Sequence, residues 1–472
     1  MSVQLVILIT YAAVLLGISW WSTKLQKKAS GGGMLGYLLA GRNMPTLLII
    51  VMLAGLAIGG ASTVGVAERA YTQGISAGWY NAAWGIGGIL AGLFVADHFR
   101  KLNVKTVPEM MGMMFGPATR FLSVINQLLV MISITSLQYV AGGSILTVLL
   151  PDTFSFQGGM LASALVFIAI TVVGGYWASG LSNVISVIVI YVGIITALVQ
   201  TLQNVGGLST LQSMLSTSGS WFDPISGIGL ATVVAYVVVM TTQAFTAQGV
   251  AQIAMAARDG RTAKRGFLIG GILILPAGFL CAIFGIVAAA QFPNLANAAM
   301  ALPMIVSQLS PAVGGILLAA LWAADVSTAV ALLMGSSTLV MEDIVKRIWT
   351  KPIKPEYELA LSRVVVLLVS LFSLLLAFTV VGILRTITTA LAITTSFTLL
   401  LVAGIYFPNL CKKASGFWVV LASLLLWIVW TFAPQYRVGP ELIYIEWLVC
   451  GAIFWACAVF CKEPANRLVP KE

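Results

Sequence analysis

An acid and two hydroxyls stand close together inside one of the apolar stretches of this chain. The segment WAADVSTAVALLMGSS (322–337) carries Asp325, Ser327 and Thr328. At 100° per residue, Ser327 and Thr328 share one helix face with Ala324, and Asp325 lies at the edge of that face. Hydroxyl, carbonyl and carboxylate oxygens are the ligands that a small hard cation prefers. Hydroxyls in membrane helices also bond to carbonyls of the preceding turn, so it is the acid that favours a cation site.

The composition of the chain makes that acid unusual. Of 472 residues, 60% are hydrophobic and only 8% are charged, which is typical of membrane-spanning helices and not of a soluble domain. A carboxylate at the bilayer centre costs roughly 2.5–3.5 kcal/mol on insertion scales. Asp325 therefore needs a bound cation, or else a proton that keeps it neutral. A purely structural, protonated acid remains the alternative.

The apolar runs and the turn-forming residues between them predict thirteen spans in an all-α integral membrane protein. The spans are 3–21, 46–67, 77–97, 121–149, 158–176, 182–203, 226–256, 266–290, 312–341, 361–381, 386–408, 417–433 and 442–460. The opening run has no basic residue ahead of it and is too long for a typical signal-peptide core, so we expect a retained helix.

The basic residues predict the orientation. If the N-terminus lies outside, all but three of the 25 Lys and Arg fall in inward loops, the exceptions being Arg69, Arg385 and Arg437. Such a bias is typical of multi-pass proteins, so we expect a protein of the cell (inner) membrane with a cytoplasmic C-terminus. The same distribution argues against nucleic acid as the partner of the +10 net charge.

Two of the spans carry signs of a broken helix. AGLAIGGASTVG (54–65) crowds Gly and Ala into the second span, and TTQAFTAQGVAQ (241–252) makes the seventh polar at membrane depth. Backbone can break inside a bilayer only where protein or a water-filled cavity satisfies the freed groups. Because five spans separate the two segments, one starts inside and the other outside. This favours a transporter built on inverted repeats, although close packing of small residues would explain either segment alone.

Enzyme signatures fail on geometry or on residue count. GISAG (74–78) matches the esterase elbow, but the single histidine, His98, is expected on the opposite side of the membrane, about 30 Å away. One histidine and five scattered cysteines exclude the common zinc patterns, and no phosphate-binding loop motif occurs. A channel would need a continuous polar pore, whereas the polar groups here cluster at one depth.

The segment LLAALWAADVSTAVALLMGSSTLVMEDIVKR (317–347) resembles the signature helix of the sodium:solute symporter family. Further segments are similar to that family in order and spacing: YLLAGRNMP (37–45), LQYVAGG (137–143), GGYWASGLSNVIS (174–186) and AQGVAQIAMAARDGRTAKRG (247–266). The resemblance implies one transmembrane domain, 1–472, with a LeuT-like five-plus-five inverted repeat. Its parts would be an extra helix at 3–21, repeats at 46–203 and 226–408, and two final helices at 417–460.

The resemblance also implies the site residues. A sodium site would be formed by the backbone oxygens of Gly55, Ile58 and Ala324 and the hydroxyls of Ser327 and Thr328. The solute would be bound by Ser62, Asn81, Gln138 and Gln248. Two departures from the family bear on the ion: Asn183 stands where many members carry an acid, and Asp325 occupies a position that is usually apolar. We infer that Asp325 preserves the net charge and add it to the sodium site.

These observations predict a cation-coupled secondary symporter, with sodium as the coupling ion, that imports a small polar organic solute by alternating access. An amino acid or a small carboxylate is the first expected solute class, and the resemblance leaves sugars and other metabolites open. A proton-coupled symporter of the same fold and a passive channel or facilitator are the alternatives. Beyond the solute and the bilayer, no obligate protein partner is indicated. Glu68 and Arg69 form either a solvated pair or an outer gate.

Overall fold

The computed structural model describes residues 3–30, 34–215, 220–349, 353–379, 383–439 and 441–464, and its regular elements there are helices. The first ten are α1 (Val3–Ser30), α2 (Met34–Leu39), α3 (Thr46–Ala57), α4 (Val64–Gln73), α5 (Trp79–Phe94), α6 (Ala96–Leu102), α7 (Val107–Phe115), α8 (Pro117–Leu149), α9 (Phe156–Val205) and α10 (Leu208–Met214). The others are α11 (Leu230–Thr246), α12 (Gln248–Ala256), α13 (Gly260–Ile274), α14 (Ala277–Gln291), α15 (Ala301–Ser307), α16 (Pro311–Leu339), α17 (Lys346–Ile348), α18 (Pro355–Ala377), α19 (Ile383–Ala392), α20 (Thr395–Tyr406), α21 (Lys413–Phe432) and α22 (Leu442–Phe460).

The helices are long and apolar enough for a multi-pass membrane protein. Seven of those described could each cross a bilayer, and three bent pairs raise that number to ten. Every one of the thirteen segments predicted from the sequence contains helix, but the count of thirteen spans stays a prediction. Residues 380 and 381, at the end of the tenth predicted span, lie outside the described residues.

Two of the predicted spans fall on the single run α9, which is 50 residues long. The run bends at Gly175, whose φ is 61°, a backbone conformation that favours glycine. A Cβ at this position would also lie 2.7 Å from the ring of Tyr37. The sequence placed the boundary between residues 176 and 182, so the bend comes slightly earlier than predicted.

Both predicted breaks are confirmed. Between α3 and α4 the chain forms a short 3-10 turn, Gly60–Ser62, and the helix axis bends by 68°. Between α11 and α12 it bends by 48° at Ala247. A third bend, of 41°, separates α19 from α20 and was not predicted.

The helix α16 is the most deeply buried of the spans. Every residue from 317 to 339 is buried, because α1, α3, α8, α9 and α18 all pack against it. A helix that is covered on all sides is expected to be apolar on every face. Its few polar residues are therefore held against neighbouring helices, away from lipid.

Candidate functional site

The hydroxyls of the signature helix meet the end of the broken helix α3. Ser327 Oγ and Thr328 Oγ1 each donate to the backbone oxygen of Gly55, both at 3.0 Å. Ser327 also lies 2.9 Å from the oxygen of Ala324, and Thr328 lies 3.3 Å from that of Leu56. Both hydroxyl side chains are buried. The contact gathers hydroxyl and carbonyl oxygens from two helices around one point.

The geometry of α3 explains why its carbonyls are available. The helix ends where the N–H of Ile58 donates to Ala54 (2.8 Å), and Ile58 itself is no longer helical, with φ −96° and ψ 71°. The next residue, Gly59, is extended. The last carbonyls of a helix have no intrahelical partner and carry the negative end of its dipole. The end of α3 therefore leaves backbone oxygens, that of Gly55 among them, free of helical hydrogen bonds, and the cation ligands expected at Gly55 and Ile58 stay a prediction.

Asp325 contacts a different part of the broken helix. Its side chain is fully buried, and a Cβ at Gly60 would lie 2.5 Å from its Oδ1. The Gly60 N–H donates to Gln138 Oε1 at 2.9 Å. The carboxylate oxygens have no hydrogen-bond partner among the described residues. The acid therefore lies beyond the break, whereas the hydroxyls lie before it, and its role as a sodium ligand stays a prediction.

Side chains from neighbouring helices satisfy the backbone of the break. Besides accepting from Gly60, Gln138 donates to Ile134 on its own helix at 3.2 Å. Ser62 donates to the oxygen of Ala57. A Cβ at Gly59 would lie 2.5 Å from Thr328 Oγ1 and 2.8 Å from Gln138 Oε1. The absence of a side chain at Gly59 lets α8 and α16 approach the break closely.

A small cavity lies beside this break. Its volume is about 20 Å³, room for about one water molecule. Its lining residues are Leu56, Ala57, Gly59, Ala61, Ser62, Tyr80, Trp84, Val130, Met131, Ile134, Gln138, Gln243, Ala247, Gly249, Val250, Thr328, Leu332 and Ile387. Two of the four residues expected to bind solute, Ser62 and Gln138, are among them. Because the space is so small, side chains must move apart before an organic solute can enter.

Asn81 faces away from this cavity. It lies on α5 between the lining residues Tyr80 and Trp84, but its own side chain packs on α14. A Cβ at Gly278 would lie 2.8 Å from the Cβ of Asn81. Neither amide atom of Asn81 has a hydrogen-bond partner among the described residues, and its contact with solute stays a prediction.

Gln248 points towards the loop before α7. Its Oε1 accepts the N–H of Val107 at 2.8 Å, and its backbone N–H donates to Gln127 Oε1 at 3.0 Å. The neighbours Ala247 and Gly249 line the cavity, whereas the side chain of Gln248 does not. The side chain fastens the start of α7 to the start of α12, and its contact with solute stays a prediction.

Three polar or aromatic residues of the lining were not expected from the sequence. Gln243 belongs to the same polar segment as Gln248, and Tyr80 and Trp84 flank Asn81 on α5. The residues were visible in the sequence as polar or aromatic groups at membrane depth. Their direction was not, because it depends on how the helices are rotated beyond each break.

Ion pairs close the side of the molecule that carries most of the basic loops. Arg120 pairs with the buried Asp343, which also accepts from Thr106 at 2.6 Å. Glu342 pairs with Lys105 at 3.0 Å and with Lys346 at 2.7 Å. These contacts join the end of α16 to α8 and to the loop before α7. Removing one partner of a buried ion pair leaves an uncompensated charge and strongly destabilises the protein. The network therefore holds the helix ends on this side together.

The opposite side has two open cavities of about 150 and 170 Å³. Both are lined by Glu68 and Ile383, and a carboxylate oxygen of Glu68 accepts the Ile383 N–H at 3.4 Å. Ile387, one turn further along α19, lines the small inner cavity. The helix α19 therefore separates the outer cavities from the inner one.

A charged group just outside the spans adds to this outer cluster. Burial raises the pKa of the Glu441 carboxyl, and the nearby Arg69 and Arg385 act in the opposite direction. Arg69 also donates to Gln73 at 2.5 Å. Glu68 and Arg69 are thus part of a mixed-charge cluster around the outer cavities.

Comparisons with known proteins agree with this geometry. The model of the family described as "Sodium:solute symporter family" matches residues 37–428. The sodium/glucose cotransporter of Vibrio parahaemolyticus is 23% identical over 379 residues, which cover 73% of this chain and 69% of the relative. The sodium/pantothenate symporter of Escherichia coli (strain K12) is 25% identical over 383 residues, 78% of each chain.

The fold is shared with a solved structure. A sodium-coupled sialic acid symporter in a substrate-bound, outward-open state superposes with a TM-score of 0.81, covering 99% of both chains at 18% identity. That level of identity establishes the LeuT-like fold and nothing about the solute. The family match spans most of the chain and includes α3, α16 and both breaks. The chain belongs to the sodium:solute symporter family and is a sodium-coupled, multi-pass membrane symporter of a small-molecule solute, not an enzyme.

Proposed function

We propose that the sodium ion binds between the end of α3 and the middle of α16. Its ligands are the backbone oxygens of Gly55, Ile58 and Ala324 and the hydroxyls of Ser327 and Thr328. The observation that carries this assignment is the convergence of both hydroxyls on one carbonyl of a broken helix. Uncharged oxygen ligands suit a monovalent hard cation. A cluster of carboxylates would favour a divalent cation instead.

Thr328 links the ion to the solute. Its hydroxyl lies on the Gly55 oxygen and also lines the cavity beside Ser62 and Gln138. An ion at this position draws α3 and α16 together and thereby orders one wall of the cavity. Ordering that wall favours solute binding, and by linkage the solute favours the ion to the same degree. This reciprocity is the physical basis of coupling.

The solute is a small polar organic molecule, with an amino acid or a small carboxylate as the expected class. Polar contacts come from Ser62, Gln138 and Gln243, and Tyr80 and Trp84 offer aromatic surface. Asp325, whose carboxylate oxygens have no hydrogen-bond partner among the described residues, is part of the proposed sodium site, either as a direct ligand or as a charge beside the ion.

The repeats and the orientation complete the proposal. Residues 46–203 and 226–408 form two inverted repeats, each starting with a broken helix, within one domain of 1–472. The N-terminus lies outside the cell (inner) membrane and the C-terminus lies in the cytoplasm. The closed ion network then faces the cytoplasm and the open cavities face outwards, which is the arrangement needed for import.

Uptake into proteoliposomes tests the function. Labelled proline, glucose and pantothenate should be offered with an inward sodium gradient, and with choline replacing sodium. A symporter accumulates its solute above equilibrium only with the gradient. Equal entry of a solute with sodium and with choline would instead identify a passive facilitator, and accumulation driven by a proton gradient alone would identify proton coupling.

A further inference from the structure

Glu446 is a buried acid outside the two proposed repeats. It lies on α22, one of the helices long and apolar enough to cross a bilayer, and its side chain is fully buried. In the part of the chain that the structure describes, it forms no ion pair, and its Oε1 has no hydrogen-bond partner. An ionisable residue at membrane depth is rare and usually marks a functional site.

Two buried side chains adjoin this carboxyl. The thiol of Cys450, one turn further along α22, donates to Glu446 Oε2 over 3.5 Å. Ser423, on α21, faces the same carboxyl, and its hydroxyl donates to the backbone oxygen of Ile393 at 3.2 Å. Both neighbours are fully buried. One hydroxyl group therefore lies between the acid and the bend that separates α19 from α20.

The contact of Ser423 ties this bend to another helix. Ser396, on α20 itself, donates to the same oxygen of Ile393 at 3.0 Å. Among the described residues, Ser423 is the donor that reaches this oxygen from a different helix. The helix α19 separates the inner cavity from the outer ones, so a contact that fixes its lower end against α21 bears on that closure.

The number of hydrogens at this place decides the state of the acid. A hydroxyl and a thiol each carry one hydrogen, and an ionised carboxylate carries none. An ionised Glu446 would compete with the oxygen of Ile393 for the single hydrogen of Ser423. A proton on Oε1 removes the competition, because the carboxyl then donates to Ser423 Oγ while Ser423 donates to Ile393. Burial also makes a carboxylate without a counter-charge costly.

We propose that Glu446 is a proton-binding site that holds the α19–α20 bend against α21 through Ser423. When the proton is lost to water, the carboxylate takes the hydrogen of Ser423 and the bend is released from α21. A proton fits this place better than a metal ion does, because the sulfur of Cys450 is a soft ligand and hard cations prefer oxygen. The site is separate from the sodium site and does not depend on it.

No charged group on the surrounding helices competes for this role. The helices packed on α22 are α11, α19, α20 and α21. Besides Glu446 and Cys450, the titratable or charged residues of these five helices and of the cap of α22 are Tyr236, Arg385, Tyr406, Lys413, Glu441, Tyr444 and Cys457. In the described part of the chain none of them bonds to Glu446, and Tyr236 and Arg385 instead act on Glu441.

Infrared spectroscopy of the purified protein tests the proton directly. A protonated carboxyl has a carbonyl stretch that a carboxylate lacks, and the difference between wild type and Glu446→Gln isolates the stretch of this residue. We expect the band in the wild type at neutral pH, its loss in Glu446→Gln, and a displaced band in Ser423→Ala, where the partner of the O–H is missing. Asp152→Asn, which removes an exposed acid, is the matched control and should keep the band of the wild type.

Hydrogen exchange at residues 390–398 tests the link to the bend. Glu446→Gln keeps an N–H donor and a carbonyl acceptor, so it should exchange like the wild type at neutral pH. Ser423→Ala should exchange about tenfold faster, since one hydrogen bond is lost. When the pH is raised, the infrared band of the wild type should disappear, and its exchange should rise above that of Glu446→Gln measured at the same pH. Residues 57–64, at the break between α3 and α4, serve as the internal reference.

Three results would overturn the proposal. The first is a spectrum that Glu446→Gln leaves unchanged, because the acid would then be ionised. The second is a band that persists at every pH at which the protein stays folded, because the acid would then be purely structural. The third is exchange at the bend that is equal in the wild type and in Ser423→Ala. Sodium-driven uptake is not part of this test, so its outcome is independent of the proposed function.

Discussion

At the scale of single residues, Ser327 and Thr328 share one acceptor, the oxygen of Gly55. A hydroxyl hydrogen can rotate, so each oxygen is able to turn a lone pair towards an ion without moving its helix. In the proposed site, sodium replaces these two hydrogen bonds by ion–oxygen contacts and so strengthens the link between α3 and α16.

Asp325→Asn tests the electrostatic part of the sodium site. The change removes the charge and keeps the size of the side chain. At an effective dielectric constant of about 20, loss of one unit charge near the ion is expected to cost about 1–2 kcal/mol, which corresponds to roughly tenfold in affinity. We expect the sodium concentration for half-maximal uptake to rise by that order while the protein still folds. Transport like that of the wild type would mean that the acid is structural.

Residue types and spacing located some site residues better than others. Ser327 and Thr328 follow directly from helical periodicity, because α16 is a continuous helix through this region. Asn81 packs on α14 and Gln248 accepts the N–H of Val107, so neither side chain lines the small cavity, and the predicted contact of both with solute stays a prediction. Beyond a break, helical phase is lost, and the direction of a side chain depends on tertiary packing.

At the scale of helices, the broken α11–α12 segment depends on a side chain from α8. Gln127 donates to the oxygen of Thr246 at 2.8 Å and accepts the N–H of Gln248 at 3.0 Å. One carboxamide therefore satisfies two of the backbone groups at this break, one on each side of it. Inside a membrane no water is available to hydrogen-bond such groups.

Gln127→Met should destabilise the protein through these two orphaned groups. Each buried unsatisfied group costs about 1–3 kcal/mol, so the melting temperature in detergent should fall by several degrees. Gln203→Met, on an exposed face of α9, serves as the comparison and should leave the melting temperature unchanged. Equal melting temperatures for the two variants would show that the break is satisfied in another way.

The third bent helix shows where prediction of elements from sequence ends. The bend between α19 and α20 falls at Ile393 and Thr394, where neither glycine nor proline marks a break. Thr394 Oγ1 donates to the oxygen of Leu391 at 2.7 Å, and Ser423 donates to that of Ile393 at 3.2 Å. Hydroxyl groups, one of them from a distant helix, replace the lost backbone bonds. The first two breaks were predictable because Gly and polar residues mark them locally.

At the scale of the whole molecule, both routes to the small cavity are closed. On one side, the pairs of Arg120 with Asp343 and of Lys105 with Glu342 join the helix ends. On the other side, α19 separates the cavities. Its Ile387 lines the small cavity, and its Ile383 lines the larger cavities on the opposite side. Alternating access requires that the two closures open in turn. Among the described residues, the closure formed by α19 contains fewer ion pairs than the one at Asp343 and Glu342. Composition and hydropathy predicted the membrane class and the helical segments, but only the packing reveals these closures.

Cysteine labelling tests the orientation of the molecule. Residues 22–45, 98–120, 257–265, 342–360 and 409–416 are expected inside, and 204–225 outside; of these, 31–33, 216–219 and 350–352 lie outside the described residues. Arg261→Cys should react with a membrane-impermeant maleimide only after the cells are permeabilised, whereas Ser213→Cys should react in intact cells. Both positions are exposed, and the native cysteines are buried or partly buried. Labelling of residue 261 in intact cells would contradict the orientation.

Sodium titration of the purified protein tests the central claim most directly. Melting temperature is measured against sodium concentration, at constant ionic strength, for the wild type, for the double variant Ser327→Ala/Thr328→Ala and for Ser336→Ala. Ser336 is the matched control, because it lies on the same helix and donates only to Leu332 of the preceding turn, at 2.9 Å. We predict that the wild type and Ser336→Ala are stabilised by sodium with the same midpoint. The double variant should need at least about tenfold more sodium, since two oxygen ligands are lost. An unchanged midpoint in the double variant would contradict a sodium site between α3 and α16.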